Sequence, residues 1–432
     1  MQAGMRMKTT PFLPDTTIGI IGGGQLGRMM ALAGRAMGYR FNVLDPDEAA
    51  PARAIADTFF QGSFADTEGL MRLAEASDVL VYEFEHIDTH SLEMVARIKP
   101  LPQGVTILRL AQHRALEKEG LSAHGFPVAP YTLLRTPDDL IPALKKLGLP
   151  VVVKTTSGGY DGKGQWHIQT EGEIQIVRRA IEAVYANFRA NRDDREPDRP
   201  TSITKEEMPL YDESLDRVDR NGRAVRGFLS SDLVRVPLIV ERFIPYEKEL
   251  SVIVSRRADG ESQVFPVAEN HHVDGILRRS IVPARVPDAV QKKAAVLATA
   301  IADAFGVVGL LAVELFYLPD GTLLINELAP RPHNSGHYTL DAVSTSQFEQ
   351  FLRAVLHLPL GDVRLFTPVV MVNILGEHLP SLLKVLPTLD ARVKVHLYGK
   401  KEARAGRKMG HLNILAESVE EALEVARTIG IS

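Results

Sequence analysis

The sequence predicts an α/β protein of about three domains, and three observations carry that prediction. Apolar strand-like runs alternate with helical ones from Thr17 onward, as a parallel layer requires. The length of 432 residues fits about three domains at roughly 150 residues each. A composition of 45% hydrophobic and 24% charged residues is globular rather than disordered. The absence of cysteine excludes a disulfide scaffold, a thiolate metal site and a cysteine nucleophile. Fifty basic and 54 acidic residues leave a net charge of −4, which argues against a dedicated nucleic-acid binder. The longest apolar run, Val307–Val313, is far short of the roughly 18–20 residues that span a membrane. Near the start, Arg6 and Lys8 precede no apolar stretch of signal-peptide type. A cytoplasmic protein without membrane or nucleic-acid partners is expected.

Along the chain, the first segment reads as strand, glycine turn, helix and strand over Thr17–Leu44. Further strands are expected at Val79–Phe84 and Thr106–Leu108, with the layer ending near residue 115. A second unit begins near Pro127 and runs through Val151–Lys154 into a glycine-rich loop. Residues 188–223 carry eight basic and ten acidic side chains with few large apolar groups, which reads as an exposed insertion. From Leu238 the pattern is β-rich again, with a helix over Asp288–Phe305. A last unit at about 366–432 holds VVMVNIL, VKVHLYG and an amphipathic helix over Glu417–Ile429.

Gly22-Gly23-Gly24-Gln25-Leu26-Gly27 satisfies G-x-G-x-x-G directly after a strand, and Asp45 ends the next strand. Such a loop brings backbone and helix N–H groups close to a phosphate, with the acid placed for ribose hydroxyls. Three readings stay open at this motif: a dinucleotide, another nucleotide or sugar phosphate, or tight packing without ligand.

Leu310–Leu318 and Thr322–Leu328 are apolar strands joined through Pro319-Asp320-Gly321, and Asp-Gly is a type I′ hairpin signal. With Asp320 and Gly321 as the loop, Leu318 faces Leu323, Phe316 faces Ile325, and Glu314 faces Glu327. Two carboxylates about 5 Å apart would destabilise a sheet unless a cation separated them. Oxygen donors without cysteine favour Mg²⁺ or Mn²⁺ over zinc. The alternative pairs each glutamate with its own lysine or arginine.

Lys154 leads into Ser157-Gly158-Gly159-Tyr160-Asp161-Gly162-Lys163-Gly164-Gln165, which suits a lid over phosphates or an ordinary glycine hairpin. After Glu327 comes Ala329-Pro330-Arg331-Pro332-His333-Asn334-Ser335-Gly336-His337, a density of polar groups able to orient an oxyanion. Lys400, Lys401, Arg404, Arg407, Lys408 and His411 form a basic run that reads as a solvated loop or a phosphate clamp.

Taken in order, GIIGGGQLGRMM, YEFEHID, VVVKTTSGGYDGKGQ, VERFIPYEKELSV, HHVDGIL, NELAPRPHNSGH and KKEARAGRKMGHLNI resemble the 5-(carboxyamino)imidazole ribonucleotide synthetase family of purine biosynthesis. The resemblance covers nearly the whole chain, apart from about the first 16 residues and the 188–235 region. It implies the ATP-grasp fold: an N-terminal Rossmann-like parallel-sheet domain (1–115), a central lid domain (116–240) and a C-terminal α+β domain (241–432). The charged insertion lies in the lid domain, and the small end unit closes the C-terminal one. The implied substrates are ATP, bicarbonate and 5-aminoimidazole ribonucleotide, with Mg²⁺ as the cation and a homodimer as the assembly.

By matching motif, Arg114, Lys154 and the lid loop Gly158, Gly159, Tyr160, Asp161, Gly162, Lys163 and Gly164 would contact ATP. Glu241, Arg242, Phe243 and Ile244 would read adenine, with Glu249 on the ribose and His272 nearby. Asn326, Glu327 and Glu314 would hold Mg²⁺. Gly24, Gln25, Glu83 or Glu85, Tyr160, Lys401, Arg404, Arg407 and Lys408 would bind the ribonucleotide, with Lys400 and Lys401 interchangeable on motif alone. Lys154, Tyr160, Arg331, His333 and Asn334 would carry the chemistry. Another ATP-grasp ligase, such as a formate-dependent glycinamide ribonucleotide transformylase, is the nearest alternative. An NAD-dependent dehydrogenase is the alternative from another class, and a non-catalytic nucleotide-binding protein is a third.

Overall fold

The computed structural model describes residues 10–158, 164–193, 233 and 236–431. By compactness the chain divides into two units. One comprises 1–108, 247–323 and 328–432; the other comprises 109–246 and 324–327.

The first unit opens with strands β1 (Thr17–Ile21), β2 (Arg40–Asp45), β3 (Thr58–Gln61) and β4 (Val79–Tyr82), in sheet order β3-β2-β1-β4. All pairings are parallel, as the alternation with helices predicts. β1 and β4 are almost wholly buried, because helices cover a parallel layer on both faces. The expected strand at Thr106–Leu108 is instead the start of a helix, Thr106–Ala111. A three-residue apolar run carries no period, and Ile107, Leu108 and Leu110 are buried along the helix.

The second unit holds β5 (Tyr131–Leu134), β6 (Val151–Thr155), β7 (Gln165–Ile168) and β8 (Leu238–Arg242), in antiparallel order β5-β8-β6-β7. The helices Leu140–Leu147 and Ile174–Asp193 supply Leu140, Leu144, Val177 and Ile181 to a core with Val151, Val153 and Val240. Most of the charged 188–235 segment lies outside the described residues.

The remaining strands are β9 (Lys248–Arg256), β10 (Ser262–Val264), β11 (Ala268–Val273), β12 (Ile276–Val282), β13 (Gly309–Tyr317), β14 (Leu323–Ala329), β15 (Val369–Leu375), β16 (Val393–Leu397) and β17 (Lys408–Leu415). They form a nine-stranded sheet ordered β14-β13-β9-β11-β12-β15-β17-β16, with β10 on β9. The helices expected late in the chain lie at Asp288–Ala304 and Val419–Ile429. The helix Gln347–Val355 packs Phe348, Phe351 and Leu352 into one core with Met29, Met30 and Phe41 of the N-terminal layer. Each such side chain contributes roughly 1.5–3 kcal/mol on burial.

The turn between β13 and β14 differs from the expected two-residue loop. Leu318 N donates to Thr322 O and Gly321 N donates to Leu318 O, both at 2.9 Å, with Gly321 at φ +83°. This is a three-residue loop of a type I turn followed by a left-handed glycine. Proline at 319 suits the first central position of that turn, so Asp-Gly does not form the loop alone. Leu318 therefore faces Thr322 rather than Leu323, and the register that set Glu314 opposite Glu327 is removed.

Candidate active site

In the first unit the glycine loop is filled by the protein itself. Glu83, at the end of β4, accepts hydrogen bonds from Gly24 N and Gly27 N, each 2.5 Å. Asp45 accepts from Gly23 N at 2.7 Å and from Asp47 N at 2.8 Å. Both carboxylates are buried. A Cβ on Gly22 would lie 2.5 Å from Glu83 Cγ, and one on Gly24 would lie 2.7 Å from Glu83 Oε1. The motif glycines thus make room for a carboxylate side chain at the helix N-terminus, where a dinucleotide site would hold phosphate. Burial pushes the Glu83 carboxyl up to about 7, against the opposing pull of the two N–H groups.

Around this loop the same unit gathers the other predicted groups. Glu85 pairs with Arg331. Burial opposes ionisation of Glu85, but the Arg331 guanidinium outweighs it and holds its carboxyl below the usual range. His333 Nε2 lies 3.2 Å from Glu314 Oε1, and its Nδ1 lies 2.8 Å from Ser335 Oγ. Burial also disfavours the Glu314 charge, yet His333 keeps it ionised. His272 Nδ1 pairs with Glu249, which raises the imidazole despite the opposing burial. Asn334 has both side-chain amide atoms buried and without a hydrogen-bond partner among the described residues. Buried polar atoms are rarely left so unless something else satisfies them.

The basic run divides into two parts. Lys400 turns inward and donates to Lys408 O at 2.8 Å, with its Nζ 5.6 Å above the Tyr398 ring. Burial and the neighbouring Arg407 lower it to about 8, while Glu83 pulls the other way. Lys408 and Arg407 are half-buried. Lys401 and Arg404 are exposed, and Arg404 pairs with its neighbour Glu402. Gln25 is half-buried on the first turn of its helix.

The second unit holds a separate cationic cradle. Lys154, on β6, lies 3.1 Å from Glu241 Oε2, and Lys118 lies 3.8 Å from the same atom. Lys118 Nζ also donates to Asn326 O at 2.8 Å and Ile325 O at 3.2 Å. Arg114 N and Nη1 bond Thr156 O and Thr155 O at 2.8 and 3.0 Å. Glu241 is buried; that burial opposes its charge, but Lys118 and Lys154 hold the carboxyl down to about 2. Its second oxygen, Oε1, has no partner among the described residues.

Along the adjoining segment, Arg242 N donates to Pro130 O and Phe243 N to Pro150 O, while Phe243 is exposed and Ile244 buried. Gly158 has φ +73° and Gly164 has φ +71°. Gly159, Tyr160, Asp161, Gly162 and Lys163 lie outside the described residues. Lys118 is absent from the sequence candidates, since a lysine between two glutamates in a helix looks like a solvated face.

Glu314, Asn326 and Glu327 each offer side-chain oxygen donors, and His333 keeps Glu314 charged. Oxygen donors of this chemistry suit a hard divalent cation such as Mg²⁺, while among the described residues no three His, Asp or Glu side chains stand together as a metal-binding group.

With the two clusters described, comparison with known proteins becomes decisive. Residues 15–112 match the ribonucleotide synthetase preATP-grasp domain, 119–188 and 200–348 match the ATP-grasp domain, and 369–425 match the phosphoribosylaminoimidazole carboxylase C-terminal domain. The N5-carboxyaminoimidazole ribonucleotide synthase of Bacillus subtilis is 41% identical over 411 residues, covering 95% of this chain and 94% of that protein. This chain belongs to the N5-carboxyaminoimidazole ribonucleotide synthase family. Among solved structures, an ADP complex of an N5-carboxyaminoimidazole ribonucleotide synthetase has a TM-score of 0.84 at 44% identity, covering 98% of both chains. The Aspergillus clavatus synthase in complex with ADP and 5-aminoimidazole ribonucleotide has a TM-score of 0.78 at 30% identity, covering 96% of this chain and 97% of that one. Family membership makes the chain an ATP-grasp ligase and removes the dehydrogenase reading, in agreement with the filled glycine loop.

Proposed function

We propose that the chain carboxylates the exocyclic amine of 5-aminoimidazole ribonucleotide, using ATP and bicarbonate and releasing ADP and phosphate, as a step of purine biosynthesis. The observation that carries the residue assignment is the Arg331-Pro332-His333-Asn334 turn. It joins an ion-paired guanidinium, an imidazole set against Glu314, and a buried amide with no protein partner among the described residues.

In this reading bicarbonate oxygen attacks the γ-phosphorus of ATP, the bond to the β-phosphate oxygen breaks, and ADP leaves carboxyphosphate. Lys154 and Arg114 neutralise the phosphate charge, since positioning and charge stabilisation dominate phosphoryl transfer. Arg331, oriented by Glu85, holds the carboxyphosphate while it divides into CO₂ and phosphate. The ribonucleotide amine then bonds to the CO₂ carbon and loses one proton. Tyr160 and the lid loop Gly158–Gly164 exclude water, which would otherwise hydrolyse the mixed anhydride. Glu314, Glu327 and Asn326 would hold Mg²⁺, which supplies further neutralisation of the phosphates.

On the ribonucleotide side, Lys400, Arg407 and Lys408, half-buried where Lys401 and Arg404 are exposed, are the cations we assign to its phosphate. Glu83 supports the glycine loop beside Gly24 and Gln25, and it or Glu85 stays our assignment for the ribonucleotide. Glu241–Ile244 with Glu249 and His272 remain our assignment for the nucleoside of ATP.

We further infer the three-part division at about residues 115 and 240, a homodimer, and a cytoplasmic location without nucleic-acid partners, all on the family resemblance. No helix among the described residues is long and apolar enough to cross a membrane. ATP hydrolysis measured with bicarbonate, with and without the ribonucleotide, tests the activity. Stimulation by the ribonucleotide is expected, and its absence would sink the assignment.

A further inference from the structure

Thirteen residues beyond Asn334, the first residue of the helix Gln347–Val355 makes an unusual set of bonds. Gln347 is fully buried. Its Oε1 accepts from His333 N at 2.9 Å, and its Nε2 donates to His333 O at 2.8 Å and to His337 Nδ1 at 3.1 Å. Its own backbone N donates to Thr339 Oγ1 at 2.9 Å, and that hydroxyl donates to Gly336 O at 2.6 Å. One side chain therefore holds both backbone polar groups of His333 and fixes the ring of His337.

The consequence for His337 is a defined tautomer. Because the Gln347 amide donates to Nδ1, that nitrogen accepts and the ring proton lies on Nε2. The turn is built around the amide: a Cβ on Gly336 would lie 2.6 Å from Gln347 Oε1 and 2.3 Å from Ile253 Cδ1. On its other side, the His333 ring is fixed by Ser335 Oγ, which in turn meets Ser251 Oγ at 2.7 Å. The backbone is held by Gln347 and the ring by the two serines, so Nε2 points at Glu314.

We propose that Gln347 is a positioning residue for the carboxylation, setting His333 against Glu314 through a three-bond clamp on the Arg331–His337 turn. The inference rests on the reading of His333 as part of the reacting site. A side chain that touches no substrate can still control rate in this way. A displacement of about 1 Å in a reacting group can cost on the order of 10²-fold.

A cycle of four enzymes tests it: native, His333→Ala, Gln347→Met and the double variant, each assayed for ribonucleotide-dependent turnover. Methionine keeps the volume and removes all three bonds. Gln347→Met is expected to lower kcat about 30-fold, with KM for the ribonucleotide within about 3-fold. In the His333→Ala background the same change should cost less than about 3-fold, because the group it positions is gone. Gln347→Glu, which retains the acceptor for His333 N, should fall between native and Gln347→Met.

Hydrogen exchange at the His333 amide reads the clamp without catalysis and should rise about 100-fold in Gln347→Met. An undiminished 30-fold loss in the His333→Ala background, or native turnover in Gln347→Met, overturns the proposal. If Gln347→Met does not fold, Gln347→Glu takes its place in the cycle, and the same two outcomes overturn the proposal. Native turnover in His333→Ala would overturn the reading of His333 itself. A large His333→Ala loss with additive Gln347 effects would overturn only the clamp.

Discussion

The glycine loop and the Arg331–His337 turn teach opposite lessons about where a ligand binds. At the loop, the N–H groups of Gly23, Gly24 and Gly27 already meet Asp45 and Glu83. At the turn, both amide atoms of Asn334 are buried without a partner among the described residues. The loop has the better-known sequence signature and its donors are satisfied from within. The turn has no widely shared signature, yet it holds polar atoms whose hydrogen bonds are unmet. Unmet demand of this kind is the ground on which we propose the turn, rather than the motif alone, as part of the reacting site.

Substitutions can break or sharpen this contrast. The largest effect is expected outside both regions, in the cradle of the second unit: Lys154→Met should lower kcat/KM for ATP by about 10³-fold in steady-state assays. Asn334→Ala should cost about 10²-fold in turnover while leaving the thermal midpoint unchanged, since no side-chain hydrogen bond to a described residue is lost. A fall in midpoint as large as that of a core substitution would mean that Asn334 is structural. Glu83→Ala should behave in the opposite way. It strands two loop N–H groups, destabilises the fold by about 4 kcal/mol in denaturant titration, and should regain stability with added inorganic phosphate. No phosphate effect would mean that the loop is not an anion cradle once Glu83 is removed.

Two smaller effects follow. Glu241 ionises at about 2 in the folded chain against an ordinary value of 4.5. A depressed acid contributes stability that is present above 4.5 and lost as pH falls through about 2, here on the order of 3 kcal/mol. Glu241→Gln should remove that slope from acid unfolding curves; an unchanged slope would assign it to other carboxylates. Smallest of all, Lys401→Ala should change kcat/KM less than about 2-fold and stability by no more than about 0.5 kcal/mol. Lys400→Ala, at the inward position, should be markedly worse in the same assay.

Much of the fold is legible in the sequence, wherever local chemistry decides the outcome. The parallel N-terminal layer follows from apolar strands alternating with helices, and its glycine loop from the spacing at Gly22, Gly24 and Gly27. Whether that loop is empty or filled is not legible, because Glu83 arrives from another strand 56 residues beyond Gly27. Lys118 is invisible for a related reason: the carbonyls of Ile325 and Asn326 and the Glu241 carboxylate, which distinguish it from a solvated lysine, come from distant segments. The inward choice of Lys400 over Lys401 likewise depends on Lys408 O across the loop. The β13–β14 turn departs from the Asp-Gly expectation because Pro319 is itself a loop residue.

That turn also works as a gauge block for the strand that follows it. Side chains on β14 alternate, with Leu323 and Ile325 buried and Leu324 and Asn326 half-buried. Closing the hairpin on Asp320 and Gly321 alone, with Pro319 drawn into β13 opposite Thr322, would slide β14 by one position against its partner. Because the period of a strand is two, that slip would exchange its faces, setting Leu324 and Asn326 against the core and turning Leu323 and Ile325 away from it. One proline in the loop thus calibrates the alignment of the whole segment that ends in Asn326 and Glu327.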